Sequence, residues 1–213
     1  MAEYRDVPED DRKKAKVFFD RGKVVAGTGN FDYAIEMYLQ GLNVDPEAKD
    51  AHQELREISL RRKAGGGKPL GMMEAMKLKR ATKDDKVNML NAEKVLAFDP
   101  GNTDHMLLMM ECAVKAGYFE TALWIGPMLL RAITDQKKPE FKKYIALKDL
   151  YKQFGQWKQA TEAIQFALRI NDGSMDLQSE LKNLAAQETM SAGGYTTGRA
   201  HSGAASGGDA QPL

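Results

Sequence analysis

Apolar residues recur along this chain at intervals of three and four, in segments of helical length separated by short polar breaks. Ala15, Phe18, Phe19, Gly22, Val25 and Ala26 predict a helix from about Asp11 to Thr28. Ala34, Ile35, Tyr38, Leu39 and Leu42 predict its partner, Asp32 to Val44, which Asp32 is placed to cap. Asn43-Val44-Asp45-Pro46 closes that pair, because proline restrains the residue before it and starts a following helix well. Leu55, Ile58 and Leu60 predict a helix over Glu47 to Arg62, and further helices follow over Gly71 to Ala81 and Asp84 to Phe98. The segment around Met106, Leu107, Leu108, Met109, Met110, Ala113 and Val114 is apolar nearly all round. That pattern reads either as a helix buried on both sides or as an adaptable methionine-lined patch for a partner. Leu177, Leu181 and Leu184 stripe a last helix, Ser174 to about Gln187, with Ser174 as its cap and Asp176, Glu180 and Lys182 turned outward.

One short motif punctuates these segments. Gly29-Asn30-Phe31-Asp32-Tyr33-Ala34 returns as Gly117-Tyr118-Phe119-Glu120-Thr121-Ala122 and as Gly155-Gln156-Trp157-Lys158-Gln159-Ala160. The glycine suits a left-handed helix end, the aromatic packs at the next helix start, and the alanine permits close helix approach. Within the first pair, Gly22, Ala34, Tyr38 and Pro46 stand 12, 4 and 8 residues apart. This resembles the tetratricopeptide repeat, a helix-turn-helix unit of 34 residues. Val44-Asp45-Pro46 and Phe98-Asp99-Pro100 lie 54 apart, which is 34 plus 20; Gly29 and Gly117 lie 88 apart, which is twice 34 plus 20; Gly117 and Gly155 lie 38 apart, which is 34 plus four.

The resemblance therefore implies an all-α, right-handed α-solenoid of about four hairpins, over residues 15–48, 49–102, 103–138 and 139–172. Repeat two carries an insertion at about 63–83, and the junction around Asp135–Pro139 carries four extra residues. Repeat two lacks the motif glycine and has Asn88 where the family usually has alanine, and Gly126-Pro127 in repeat three predicts a kink. The array spans 11–188 with a capping helix over 174–187. It is preceded by a loose acidic lead-in, 1–10, and followed by a Gly/Ser/Ala-rich tail, 189–213, too poor in apolar groups to offset ordering entropy.

In this family the first helix of each repeat lines a concave groove that takes peptides or helices of partners. The residues so implicated here are Lys16, Phe19, Lys23, Gln53, Glu57, Leu107, Glu111, Ile145, Asp149 and Lys152. Lys23 and Glu57 occupy positions where one subgroup has the asparagines of a carboxylate clamp, so that specificity is not implied. A mixed-charge peptide with apolar anchors is.

Composition narrows the classes. With 43% hydrophobic residues, 29% charged residues and a net charge of +1, the chain can fill a core but has no strong field toward nucleic acid or anionic membrane. Cys112 is the only cysteine, which excludes an intrachain disulfide and suits a reducing, cytoplasmic setting. The polar N-terminus lacks a signal core, and Met106–Met110 is too short to span a bilayer.

Residues 61–86 hold nine bases against three acids. The bases are Arg61, Arg62, Lys63, Lys68, Lys77, Lys79, Arg80, Lys83 and Lys86, and no aromatics interleave with them for base stacking. That balance points to a solvated face or an acidic protein partner ahead of nucleic acid. Gly65-Gly66-Gly67-Lys68-Pro69 fails as a phosphate loop, because Pro69 stands where Ser or Thr is needed and no strand precedes it. His52, His105, His201 and Cys112 have no metal-ligand spacing, and no pairing nominates a catalytic residue or a cofactor. The expectation is a non-enzymatic scaffold or adaptor that binds a protein segment in its groove. The alternative is an assembly chaperone or regulatory subunit that contacts its partner through the basic insertion.

Overall fold

The structure is a computed structural model that describes residues 3–197. These residues are all-helical, with ten helices in chain order: α1 (Glu9–Gly27), α2 (Phe31–Val44), α3 (Lys49–Ala64), α4 (Met72–Leu78), α5 (Asp85–Phe98), α6 (Thr103–Ala116), α7 (Phe119–Thr134), α8 (Phe141–Gln153), α9 (Trp157–Ile170) and α10 (Met175–Thr197). Each helix packs mainly on its neighbours in sequence, the arrangement of an α-solenoid.

Backbone conformation repeats with the motif. Gly29, Gly117 and Gly155 adopt φ of +83°, +81° and +76°, a region where a Cβ is penalised. At two of them the reversal closes the preceding helix in the same way, with Tyr118 N–H donating to Ala113 O and Gln156 N–H to Tyr151 O, each at 2.9 Å. Ala34, Ala122 and Ala160 are fully buried in the hairpins α1–α2, α6–α7 and α8–α9. The far ends repeat too: Asp45, Asp99 and Asn171 end α2, α5 and α9 with φ/ψ of −121°/86°, −135°/76° and −135°/73°. They lie 54 and 72 residues apart, or 34 plus 20 and twice 34 plus four.

Three local expectations change. The cap of α2 is Asn30, whose side chain accepts from Tyr33 N–H, because the helix starts at Phe31 and leaves Asp32 inside its first turn. Residues 3–8 are seated. Arg5 N–H donates to Gly117 O at 2.9 Å, the Tyr4 ring lies 6.0 Å from that of Phe119, and Val7 is buried. Tyr4 and Val7 supply apolar contact that an acid count overlooks. α10 continues to Thr197, past the predicted end at Gln187; the remainder of the predicted tail, 198–213, lies outside the described residues.

The second repeat opens. α5 packs more extensively on α6 than on α3, since no tight glycine turn joins α3 to α5. Ala92 and Ala97 are the buried alanines of α5, whereas Asn88 ties down the end of the insertion, accepting from Thr82 N–H at 2.8 Å and donating to Thr82 O at 3.0 Å. α7 runs unbroken through Pro127, which leaves the Leu123 carbonyl without its helical donor. The core forms two clusters, one within α1–α3 and the other running from α5 to α10. They meet on α5, where Ala97 belongs to the first and Leu96 to the second.

The start of α7 is capped from a distance. Tyr118 offers no side-chain cap, and the Glu47 carboxylate instead accepts from Glu120 N–H and Thr121 N–H, each at 3.1 Å. Thr121 Oγ1 donates to Pro46 O at 2.6 Å. Burial raises the Glu47 carboxyl while those backbone bonds oppose the rise. Glu47→Ala is expected to cost about 2 kcal/mol, the range for hydrogen bonds to a charged group. An unchanged urea midpoint would show that the clasp contributes nothing.

Candidate partner-binding surface

α1, α2 and α3 form one open depression of about 280 Å³, lined by Lys23, Ala26, Tyr38, Glu54, Glu57 and Arg61 among others. Its floor is set by the hairpin crossing. Gly22 lies against the Tyr38 ring, where a Cβ would meet ring carbon Cε2 at 2.7 Å, so only glycine lets α1 come this close. The Tyr38 hydroxyl donates to Glu54 at 2.5 Å, and Lys23 Nζ reaches the same carboxylate at 3.4 Å. Burial, followed by the Glu54 bond, pushes the Tyr38 phenol well up, so it stays a donor at ordinary pH. The depression thus offers an apolar wall, a fixed hydroxyl, two cations and two carboxylates. Of the groove residues read from sequence, Lys23 and Glu57 line it. Gln53 stands one turn before Glu57 and donates to it at 3.4 Å, while Lys16 pairs with Asp20 at 3.0 Å on exposed α1. Phe19 is half-buried within the hairpin, stacked 5.9 Å from Tyr38 and filling the space Gly41 leaves.

The remaining five form a second group, on α6 and α8, which pack together. Leu107 and Ile145 are half-buried, Glu111 pairs with Lys115 at 2.7 Å, and Asp149 pairs with Lys148 at 2.8 Å. Lys152 joins Lys148 in holding Glu180 of α10, at 2.5 and 2.8 Å. Glu180 therefore turns inward, contrary to the outward face read from the leucine stripe, because two lysines of α8 await it. Burial works against Lys148, but its hydrogen bonds to Asp149 and Glu180 prevail and raise it. Between the two groups, α3 meets the α5–α6 loop, with Arg56 donating to Pro100 O at 3.1 Å and Lys63 pairing with Asp99 at 3.2 Å.

The basic residues also divide. Arg61 stacks over Phe31 and Arg62 over Phe98, with the cations 5.0 and 4.4 Å from the ring centres. Arg62 additionally pairs with Asp32. These close the end of α3, where cations suit the helix dipole. Lys68, Lys77, Lys79, Arg80 and Lys83 project from the insertion.

Sequence reasoning missed a buried polar cluster. His52 Nδ1 lies 2.6 Å from Glu93 Oε1, its Nε2 lies 2.9 Å from Pro46 O, and its ring stacks 5.0 Å from that of Trp124. A carbonyl only accepts, so Nε2 carries a proton, and a second proton sits between Nδ1 and Glu93. Burial pushes His52 down, but the Glu93 charge and hydrogen bond outweigh it and the net direction is up. The adjoining cavity, about 20 Å³, has room for a single water and none for a partner side chain. The signal was a histidine on the Leu55–Ile58–Ser59 stripe facing an acid on the Met89–Ala92–Leu96 stripe. Elsewhere, His105 Nδ1 pairs with Asn102 at 3.0 Å, and burial pushes the Cys112 thiol up to about 11.

No family model matches the chain, and no curated protein matches it. Among solved structures, the chain is similar to the crystal structure of the MamA protein, at 15% identity and a TM-score of 0.40, over 82% of each chain. Among the described residues, no helix is long and apolar enough to cross a membrane.

Proposed function

We propose that this chain is a tetratricopeptide-like interaction module, a non-enzymatic adaptor that takes a segment of a partner protein against α1–α3. The depression bounded by Lys23, Tyr38, Glu54, Glu57 and Arg61 carries this reading. It is open and equipped with both charge signs beside an apolar wall. The partner segment has an apolar anchor for the Ala26–Ile58 floor and an acid for Lys23 or Arg61. The groups on α6 and α8 extend the contact for a longer segment.

The test is quantitative capture. The partner is isolated from native extract on the immobilised chain, and its affinity is compared for the wild type and for Lys16→Glu/Lys23→Glu. Reversing Lys23 beside Glu54, together with Lys16 farther along the same helix, is expected to weaken binding by about tenfold, chiefly through association rate. Equal affinity for both proteins would exclude this face.

A further inference from the structure

The insertion holds three long apolar side chains in water. On α4, Met72, Met73 and Met76 are 81%, 76% and 63% exposed, while Ala75 and Leu78 on the opposite side are half-buried. α4 packs on α5 with that second face. Three methionine side chains held in water on one short helix form a surface with apolar area to gain from a cover. Beside α4 lies a groove of about 420 Å³ between α2 and α5, with Phe18, Leu39, Val44, Val87 and Leu90 on its walls. Lys94 joins the two features: its Nζ sits 2.9 Å from Glu36 in the groove and 3.3 Å from Glu74 on α4. Lys94 thus ties α4 to the wall of the groove.

Cations outnumber acids along the insertion. Glu74, the only acid on α4, is answered by Lys94. Lys68, Lys77, Lys79, Arg80 and Lys83 have no carboxylate within ion-pair reach among the described residues. Five free cations thus flank three free methionines in a molecule of net charge +1.

We propose that α4 and the α2–α5 groove form a docking surface for an acidic amphipathic helix of a partner protein. The cations demand an acidic occupant. The groove is recessed between two helices, which fits the apolar ridge of a third helix better than the plane of a bilayer. Residues 63–83 contain no aromatic side chain of the kind that anchors peptides at a membrane interface. Unbranched thioethers adapt to irregular apolar ridges. This surface is separate from the α1–α3 depression, so either reading can fail alone.

The experiment uses the full chain and a labelled synthetic helix with leucines at i, i+3, i+4 and i+7 and glutamates elsewhere, read by fluorescence anisotropy. The expected result is a Kd in the tens of micromolar. Met72→Ser/Met73→Ser/Met76→Ser should weaken it at least tenfold, as should Lys77→Glu/Lys79→Glu/Arg80→Glu, and Lys16→Glu/Lys23→Glu should leave it unchanged. These side chains are exposed, so circular dichroism and Tm should match the wild type. In the labelled wild type, the methyl resonances of the three methionines should shift on titration. No binding at millimolar peptide, affinity indifferent to the methionine triple, or equal binding of a lysine-for-glutamate peptide would overturn the proposal. So would capture by vesicles containing about one-third phosphatidylserine in preference to the peptide.

Discussion

His52→Ala is expected to cost about 3–5 kcal/mol, the range for removing one member of a buried pair. The loss comes less from the contact than from the Glu93 carboxyl, left without its partner among Leu96, Met109 and Trp124 with its other oxygen already unsatisfied. A domain of ordinary stability holds about 5–15 kcal/mol, so the variant should lose a large share of it. The double variant His52→Gln/Glu93→Gln, a neutral hydrogen-bonding pair, should recover most of the loss. The pair also sets a pH dependence. His52 has its folded pKa raised above the ordinary 6.5, so its contribution is complete below that value and is lost as pH rises through the folded one. The slope between the two is about 1.4 kcal/mol per unit. His105, lowered by burial, runs the other way and is common to all three proteins. Urea midpoints at pH 6 and pH 9 should therefore fall more for the wild type than for the double variant. A single variant within 1 kcal/mol of wild type, or parallel pH profiles, would refute the buried ion pair.

Gly126→Val should cost about 3 kcal/mol by overpacking. A Cβ at this point of α7 runs into the Tyr151 hydroxyl, with ring carbon Cζ at 2.7 Å and Met110 Cε at 3.3 Å. Tyr151 cannot swing aside, being 2% exposed and packed against Phe154 at 6.1 Å. Tyr151→Phe in the same chain should return part of the loss by removing the hydroxyl. Gly27→Ala is the control: nothing lies within 4 Å of its Cβ, and stability should hold or rise by less than about 1 kcal/mol. Calorimetric Tm values decide the matter, and a Gly126→Val protein as stable as the control would mean the helices part freely there.

The three motif glycines and alanines were legible because their roles are local. A residue that needs positive φ, or a helix face that must admit a neighbour, leaves its mark within six positions of sequence. Gly126 was legible only in part. Its neighbour Pro127 drew attention to helix geometry, whereas its partner Tyr151 lies 25 residues on. Glu47 and Thr121, 74 apart, carry no periodic signature at all, since a carboxylate beside a helix start looks the same whether it caps its own helix or a distant one. The candidate surface divides likewise. Lys23 and Glu57 follow from repeat phase, but the interruption between α3 and α6 comes from how the insertion lets α5 settle against α6. The exposed face of α4 required knowing which of its sides α5 covers.

The Glu47 clasp changes how this rod can come apart. In a plain stack, the outermost hairpin peels off without disturbing anything beyond its immediate neighbour. Here the loop that closes the first hairpin also holds shut the start of a helix two units away, so fraying at the N-terminal end is transmitted to the middle. Trimming by proteases that start from that end should meet a cooperative block of three units and a more yielding remainder.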